Sequence, residues 1–230
     1  MTESLFQKYE QNKAASFKQN ENLNQLLGEL KSLLTPIQQE KQRSFDKPEY
    51  PVAFIVGCPR SGTTLIHQWM ADMGVFAYPS NFLTRFAYAP YIGALIQQML
   101  FNPDFDFHGD FEDIHSELNF SSDLGKSKGA LATNEFQHFF RNYMPNFDPE
   151  YLSDEEVNKV DFDGIKKGIA SIEAVFDKPF VTKAMMLQYN ISQLKKHFPD
   201  ALFLFVKRYP LLNMQSILKA REKYLSLIHI

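Results

Sequence analysis

One loop, bounded by glycines and lying between an apolar run and a helical pattern, constrains this chain most. Residues 52–56, Val-Ala-Phe-Ile-Val, form a continuous apolar run of the kind expected of a strand covered on both faces. The loop GCPRSGTT follows over residues 57–64, and a helical pattern extends from Thr63 to Met73. In such a unit, backbone N–H groups and the helix N-terminus together bind an anion. The sequence therefore predicts a strand, a loop and a helix that hold a phosphate-like group.

Two more apolar runs, each followed by a helical pattern, lie later in the chain. The runs are residues 180–182 and 201–206, and the helical patterns are residues 190–198 and 211–224. This alternation predicts an α/β fold, a P-loop-like doubly wound sheet with a parallel core of covered strands, flanking helices and a large helical and loop insertion after the first βα unit. Ligands of such folds bind outside the carboxyl ends of the strands. We therefore expect the loop, Lys183 and Arg208 to lie on one rim.

The chain is predicted to divide near residue 47. Residues 1–47 form an N-terminal amphipathic helical extension, and residues 48–230 form the α/β domain. The apolar stripe of the extension consists of Leu23, Leu26, Leu27, Leu30, Leu33 and Leu34. A stripe at helical spacing needs a surface to pack on. We expect it to dock on the domain itself, and a partner-binding or homodimer-forming helix is the alternative.

Composition excludes several classes of protein. The 230 residues include 24 Lys+Arg and 27 Asp+Glu, for a net charge of −3, which gives no reason to expect nucleic acid as a partner. Cys58 is the single cysteine, so an internal disulfide and a four-thiolate zinc site are excluded, and we expect its side chain to be small and buried. The polar N-terminus does not resemble a signal peptide, and no apolar run reaches about 18 residues. These features predict a soluble cytoplasmic protein.

The loop differs from the P-loop of nucleoside triphosphate enzymes. Gly57 and Gly62 have the right spacing, but Thr63 stands where that motif has Lys. The run 201–206 ends in Lys207 instead of a carboxylate that would hold Mg²⁺. A kinase therefore fits poorly, although a P-loop kinase and a non-catalytic nucleotide-binding protein stay as alternatives. No metal is expected.

The loop that remains suits a compact dianion such as a 5′-phosphosulfate. Its donors are the backbone around Gly62 and the side chains of Arg60, Ser61, Thr63 and Thr64. The run PRSGTTL after an apolar strand resembles the 5′-phosphosulfate loop of the sulfotransferase superfamily. Members of that superfamily also have a strand that ends in Arg, with Pro two residues later and Ser eight residues later. Arg208, Pro210 and Ser216 match this second motif.

The second motif is also interpretable chemically. Arg208 ends an apolar run, and Pro210 suits the first turn of the next helix, which points its N-terminus at the same rim. Arg208 and Ser216 then make a second anion site. The resemblance covers about residues 52–224 and implies 3′-phosphoadenosine 5′-phosphosulfate as the co-substrate. It also implies sulfuryl transfer to a hydroxyl or amine of a small-molecule or glycan acceptor.

Sulfuryl transfer needs charge stabilisation and a base. Lys183 is the candidate for the first role because family members commonly place a Lys at this strand end, and a solvated lysine is the alternative reading. In the cytosolic branch of the family a His follows that Lys by two residues, whereas this chain has Met185. We therefore predict that Glu135 is the base, at the start of a helix capped by Asn134, although Glu135 is equally consistent with a carboxylate that only favours the helix dipole. Further candidates for the base are His115, Glu117 and His108.

Residues 101–133 are too long and polar for an ordinary connection, which predicts a functional lid or a poorly ordered segment. The aromatic residues within it are expected to pack in the core, with an apolar acceptor pocket as the alternative. They are Phe101, Phe105, Phe107 and Phe111. His67, one turn into the loop helix, is expected to pack and not to catalyse.

The last six residues, 225–230, coincide with the in-frame translation of an adapter used to prepare sequencing libraries. We expect an artificial end, with the native protein departing from this sequence near Tyr224. Chains of the family continue well past the position of Ser216. Part of the donor site is then expected to be missing, so that this fragment binds donor weakly or does not turn over.

Overall fold

The computed structural model describes residues 20–114, 122–123, 126–144 and 151–224. The helices in these ranges are α1 Glu21–Gln42, α2 Thr63–Asp72, α3 Pro90–Phe101, α4 Gln137–Arg141, α5 Asp154–Val157, α6 Phe162–Phe176, α7 Ile191–His197 and α8 Pro210–Tyr224. The strands are β1 Ala53–Val56, β2 Ser122–Asp123, β3 Lys126–Ser127, β4 Val181–Lys183 and β5 Leu202–Phe205. Short 3-10 turns lie at Leu83–Phe86, Pro103–Phe105 and Glu112–Ile114. No helix within the described ranges is long and apolar enough to cross a membrane.

The main sheet is parallel and has β1 at its centre. β4 pairs with one edge of β1 and β5 with the other, with Ala53 opposite both Val181 and Leu202. Parallel neighbours require crossover connections, and helices of this chain provide them. The predicted α/β fold is confirmed, as is the large insertion between α2 and β4. All three strands end at the same edge of the sheet, where the predicted site residues follow them.

Aromatic packing fills the core beneath the sheet. Phe54 in β1 is fully buried, edge-on to Phe198 at 5.4 Å between ring centroids and stacked with Phe203 at 5.8 Å. A second aromatic group lies where the insertion meets β4, and its buried members are Phe136, Phe139, Phe140 and Phe180. Helix α6 adds a buried stripe at helical spacing, Ile165, Ile169 and Ile172. These aromatic and isoleucine side chains belong to one buried cluster that includes Phe54 of β1.

β5 departs from the sequence-based expectation. Every residue of β1 is buried, as predicted for a strand covered on both faces. In β5, however, Leu202 is 60% exposed and Phe205 is 73% exposed. Edge position alone is not the reason, because β4 is also an edge strand and is buried. Helix α2 packs against β4, whereas the described element that β5 contacts most is β1. The expectation that the run 201–206 is covered on both faces is therefore wrong.

Helix α1 docks on the domain through polar residues. Gln38 is buried and its Oε1 accepts a hydrogen bond of 3.1 Å from the backbone N–H of Tyr91 in α3. Gln42 Nε2 donates to the carbonyl of Gly164 in α6 at 3.0 Å. Leu26 and Leu33, two members of the apolar stripe, remain exposed. The other four members, Leu23, Leu27, Leu30 and Leu34, are partly buried, so glutamine side chains and part of the leucine stripe both contribute to the docking on the domain's own surface. The domain boundary at residue 47 stays a prediction.

A buried carboxylate connects the entry to β1 with the start of β4. Glu173, in α6, is 2% exposed and accepts hydrogen bonds from the backbone N–H groups of Glu49 at 2.9 Å and Phe180 at 3.2 Å. A longer contact of 3.5 Å comes from the N–H of Tyr50. Burial raises the pKa of Glu173 to about 7. One side chain thus fixes the segments that precede two neighbouring strands.

We predict that Glu173→Ala lowers the free energy of unfolding by about 2–4 kcal/mol, because it leaves backbone donors without acceptors. Urea denaturation followed by circular dichroism measures this change. Glu29→Ala, on the exposed side of α1, is the matched control and should change stability by no more than about 0.5 kcal/mol. Equal stability of the two variants would show that Glu173 does not connect these segments.

Candidate active site

The loop between β1 and α2 has the backbone conformation of an anion-binding turn. Arg60 has φ of 67° and Gly62 has φ of 111°, both in the left-handed region, and they flank Ser61. The N–H of Ser61 donates to the carbonyl of Cys58 at 3.1 Å, which closes the turn. Helix α2 begins directly afterwards, with Gly62 as its N-cap. Such a turn and the following helix N-terminus present N–H groups to the same space.

Gly57 allows the loop to lie against β5. A Cβ atom at this position would lie 2.6 Å from the carbonyl oxygen of Val206 and 2.9 Å from Ser61 Oγ. Both distances are below any ordinary contact, so a larger residue would displace backbone. The absence of a side chain at Gly57 is therefore what brings the end of β5 next to the loop.

The hydroxyl of Ser61 has no hydrogen-bond partner among the described residues, although it is buried. Ser61 as a whole is 8% exposed, and Thr63 beside it is also buried. A buried hydroxyl without a partner costs free energy. An anion bound in the loop would accept a hydrogen bond from this group, so the residues present fit the phosphosulfate inferred from the sequence.

Lys183 is the last residue of β4 and its side chain is only 4% exposed. Its Nζ donates to Thr64 Oγ1 at 2.7 Å and to Glu135 Oε1 at 3.1 Å. A buried ammonium requires such partners because desolvation of an unpaired charge is costly. The alternative reading of Lys183 as a solvated strand-end lysine is therefore wrong. The structure brings three predicted site residues, Lys183, Thr64 and Glu135, into direct contact.

Glu135 precedes helix α4 and is not part of it. The helix begins at Gln137, because Phe136 adopts a left-handed φ of 56° and its N–H donates to Asn134 Oδ1 at 3.0 Å. Asn134 therefore caps this turn and not the first turn of a helix, so the predicted helix start was wrong by two residues. Glu135 Oε2 accepts from Gln137 Nε2 at 2.9 Å, and its side chain is 35% exposed. The carboxylate thus contacts Lys183 while staying accessible from solvent.

The second motif contacts the loop. Arg60 Nε donates to Ser216 Oγ at 3.3 Å, and Arg208 Nη1 donates to the carbonyl of Arg60 at 3.1 Å. Arg208 is exposed in the connection between β5 and α8, and Ser216 is half-buried in α8. The sequence places the two motifs about 150 residues apart, and the fold brings them together on one rim.

Other sequence candidates lie elsewhere. His108 is exposed and its ring contacts that of Phe107 at 4.1 Å. His115 and Glu117 lie outside the described residues. Cys58 is exposed, so the expectation of a buried side chain was wrong. Core packing was also wrong for three of the four aromatic residues in the long segment, since Phe105, Phe107 and Phe111 are exposed.

His67 lies behind the site and was expected only to pack. It is fully buried, on the side of α2 that faces β4, and its ring is edge-on to that of Tyr78 at 6.4 Å between centroids. Burial lowers the pKa of His67 to about 3, with a further contribution from the positive charge of Lys183. The imidazole therefore stays neutral at ordinary pH. His67 thus adds no second positive charge beside Lys183.

The fold and the loop define a P-loop-like α/β protein in which the two sequence motifs meet on one rim. A family model described as the sulfotransferase family matches residues 51–226. The chain therefore belongs to the sulfotransferase family, whose members are enzymes that transfer sulfuryl groups. Searches of curated proteins and of solved structures returned no match. Within the described ranges, no group of three or more His, Cys, Asp or Glu side chains is placed to hold a metal ion.

The neutral state of His67 predicts a pH dependence of stability. The folded pKa of about 3 lies below the ordinary value of 6.5, so the unfolded chain binds more protons between these values. Relative to a His67→Gln variant, the wild-type protein should lose up to about 1.4 kcal/mol of unfolding free energy per pH unit as the pH falls below 6.5. Denaturant titrations at several pH values measure this difference.

His67→Asn is the second variant in this experiment, and it should differ from the wild type in the same way as His67→Gln. Parallel pH profiles for wild type and His67→Gln would contradict a neutral His67 in the folded protein.

Proposed function

We propose that this sulfotransferase uses 3′-phosphoadenosine 5′-phosphosulfate as donor and a hydroxyl or amine of a small molecule or glycan as acceptor. The observation that supports this proposal most is the contact between the two motifs, from Arg60 to Ser216 and from Arg208 to Arg60. Two anion sites on one rim match a donor with phosphate groups at both its 5′ and 3′ positions. The loop 57–64 would bind the 5′-phosphosulfate, and Arg208 and Ser216 would bind the 3′-phosphate.

The buried Ser61 hydroxyl and the N-terminus of α2 support the first assignment, because both offer hydrogen-bond donors without a protein acceptor at that place. Thr63 and Thr64 add hydroxyls in the first turn of α2. Thr64 also accepts from Lys183, so the ammonium is adjacent to the cradle in which the sulfuryl group would lie.

In the proposed reaction, an acceptor oxygen or nitrogen forms a bond to sulfur while the bond from sulfur to the bridging phosphate oxygen breaks. The acceptor's proton passes to Glu135, which is the partly exposed carboxylate of the site. Negative charge develops on the bridging oxygen, and Lys183 stabilises it. The products are the sulfated acceptor and 3′-phosphoadenosine 5′-phosphate.

Donor binding is tested by isothermal titration calorimetry with 3′-phosphoadenosine 5′-phosphate and, separately, with ATP and Mg²⁺. We expect the bisphosphate to bind more tightly, and tighter binding of ATP with Mg²⁺ would favour a kinase instead. Arg208→Ala should weaken bisphosphate binding by about 2 kcal/mol or more, because a charged hydrogen-bond donor is lost. Arg221→Ala, at an exposed arginine of helix α8, is the control. A folded Arg208→Ala variant with unchanged affinity would remove Arg208 from the donor site.

Catalysis is tested by transfer of radiolabelled sulfate from the donor to a panel of alcohols and amines. Lys183→Met and Glu135→Gln should each lower the rate by about 10²-fold or more, because one removes charge stabilisation and the other removes the base. Lys196→Ala, at an exposed position in α7, should leave the rate unchanged. Full activity of Glu135→Gln would reject the assignment of the base. A wild-type chain that binds donor tightly but transfers to no acceptor would favour the non-catalytic nucleotide-binding alternative.

A further inference from the structure

One asparagine side chain joins two distant segments of the insertion beside the candidate active site. Asn81 Nδ2 donates to the carbonyls of Ser127 at 3.1 Å and Gly129 at 2.9 Å. Its Oδ1 accepts from Asn134 Nδ2 at 2.9 Å. Its backbone N–H donates to the carbonyl of Ala132 at 2.8 Å. Both side-chain atoms of Asn81 are thus committed to the segment that precedes Glu135.

The residues on either side of Glu135 are each held in place by the surrounding structure. The backbone N–H of Asn134 donates to the carbonyl of Pro79 at 2.8 Å, while the Asn134 side chain contacts Asn81. On the other side, Phe136 is fully buried and its ring stacks on that of Phe139 at 4.6 Å between centroids. Glu135 therefore has little backbone freedom, and its carboxylate meets Lys183 from a fixed position.

The same contact connects the Glu135 segment to the loop helix. Gln68, in α2, is 3% exposed and its Nε2 donates to Ser127 Oγ at 2.9 Å. Ser127 is also one of the residues held by Asn81. Ser127 thus contacts helix α2 through Gln68 and the segment before Glu135 through Asn81.

Backbone pairing alone does not provide this arrangement. Ser80 and Thr133 form an antiparallel bridge, and the N–H of Phe82 donates to the carbonyl of Ala130 at 2.9 Å. These bonds align the two segments but do not reach Ser127 or Gly129. Only a side chain with two donor hydrogens and one acceptor makes all three contacts of Asn81, and Asp and Ala lack those donors.

We propose that Asn81 is a positioning residue that holds Glu135 at Lys183. This inference depends on the proposed role of Glu135 as the base. A carboxylate displaced by about 1 Å can lose on the order of 10²-fold in rate, so a group that fixes its position contributes to turnover without touching substrate. The hydrogen bonds of Asn81 described above go to the insertion and not to the loop 57–64, so its removal should affect transfer and not donor binding.

The first test compares Asn81→Ala with Asn102→Ala in the full chain. Asn102 also makes two side-chain hydrogen bonds, to Gln98 and to the backbone of Asp104, but none to the Glu135 segment. Asn81→Ala should lower kcat by about 10-fold to 100-fold and leave the affinity for 3′-phosphoadenosine 5′-phosphate within about twofold. Asn102→Ala should change neither. Unchanged kcat in a folded Asn81→Ala variant would overturn the proposal.

A double-mutant cycle separates this proposal from the proposed function. If Asn81 acts through Glu135, adding Asn81→Ala to Glu135→Gln should lower kcat no further. An equal loss in both backgrounds would mean that Asn81 acts elsewhere and would overturn the positioning role. Full activity of Glu135→Gln alone would instead overturn the base assignment, whatever Asn81 does.

A measurement independent of turnover uses the accessibility of Lys183. Its side chain is nearly buried under Glu135, so acetylation by acetic anhydride, followed by mass spectrometry, should be slow in the wild type. Asn81→Ala should raise the labelling rate of Lys183 several-fold and leave that of the exposed Lys196 unchanged. Asn134→Ala removes the hydrogen bond between Asn134 and Asn81 by changing the donor. If Asn81→Ala does not fold, the labelling rate of Lys183 in Asn134→Ala is the test. Unchanged labelling of Lys183 in the folded variants would contradict the proposal.

Discussion

The buried ammonium of Lys183 is the constraint on which the rest of the site depends. A cation that is 4% exposed at the end of a strand is stable only when anionic or hydroxyl groups face it. Thr64 supplies one such group from the first turn of α2, and Glu135 supplies the other from the insertion. The strand, the loop helix and the insertion therefore have to meet at one point. The burial of Lys183 thus makes their relative positions a condition of folding.

This condition explains why the insertion is attached so firmly beside the site. Residues 78–82 and 129–134 are joined by backbone hydrogen bonds, by the Ser80–Thr133 bridge and by the side chain of Asn81. Each of these contacts restricts where Glu135 lies relative to Lys183. A looser connection would leave a buried cation without its counter-charge. The polar contacts within the insertion therefore keep the carboxylate of Glu135 beside the buried ammonium of Lys183.

The features that could be predicted from sequence are those set by neighbouring residues. The loop 57–64 follows a buried strand and opens a helix, and the spacing from Arg208 to Ser216 is also local, so both motifs were recognisable without the fold. The contacts of Asn81 could not be found in this way, because they join residues about 50 positions apart through packing. The exposure of β5 has a similar origin, since an apolar run does not reveal whether helices will cover both faces of the strand that it forms.

The charges around Lys183 also bear on how the proposed reaction is balanced. His67 is neutral behind the ammonium, so it adds no positive charge to the ion pair of Lys183 and Glu135. When Glu135 accepts the acceptor's proton, the carboxylate becomes neutral at the same time as negative charge develops on the bridging oxygen. In this proposed step, the bridging oxygen replaces Glu135 as the anionic partner of Lys183. The buried cation therefore keeps a negative partner throughout. His67 stays neutral because burial disfavours its charged form, and the positive charge of Lys183 adds to this effect.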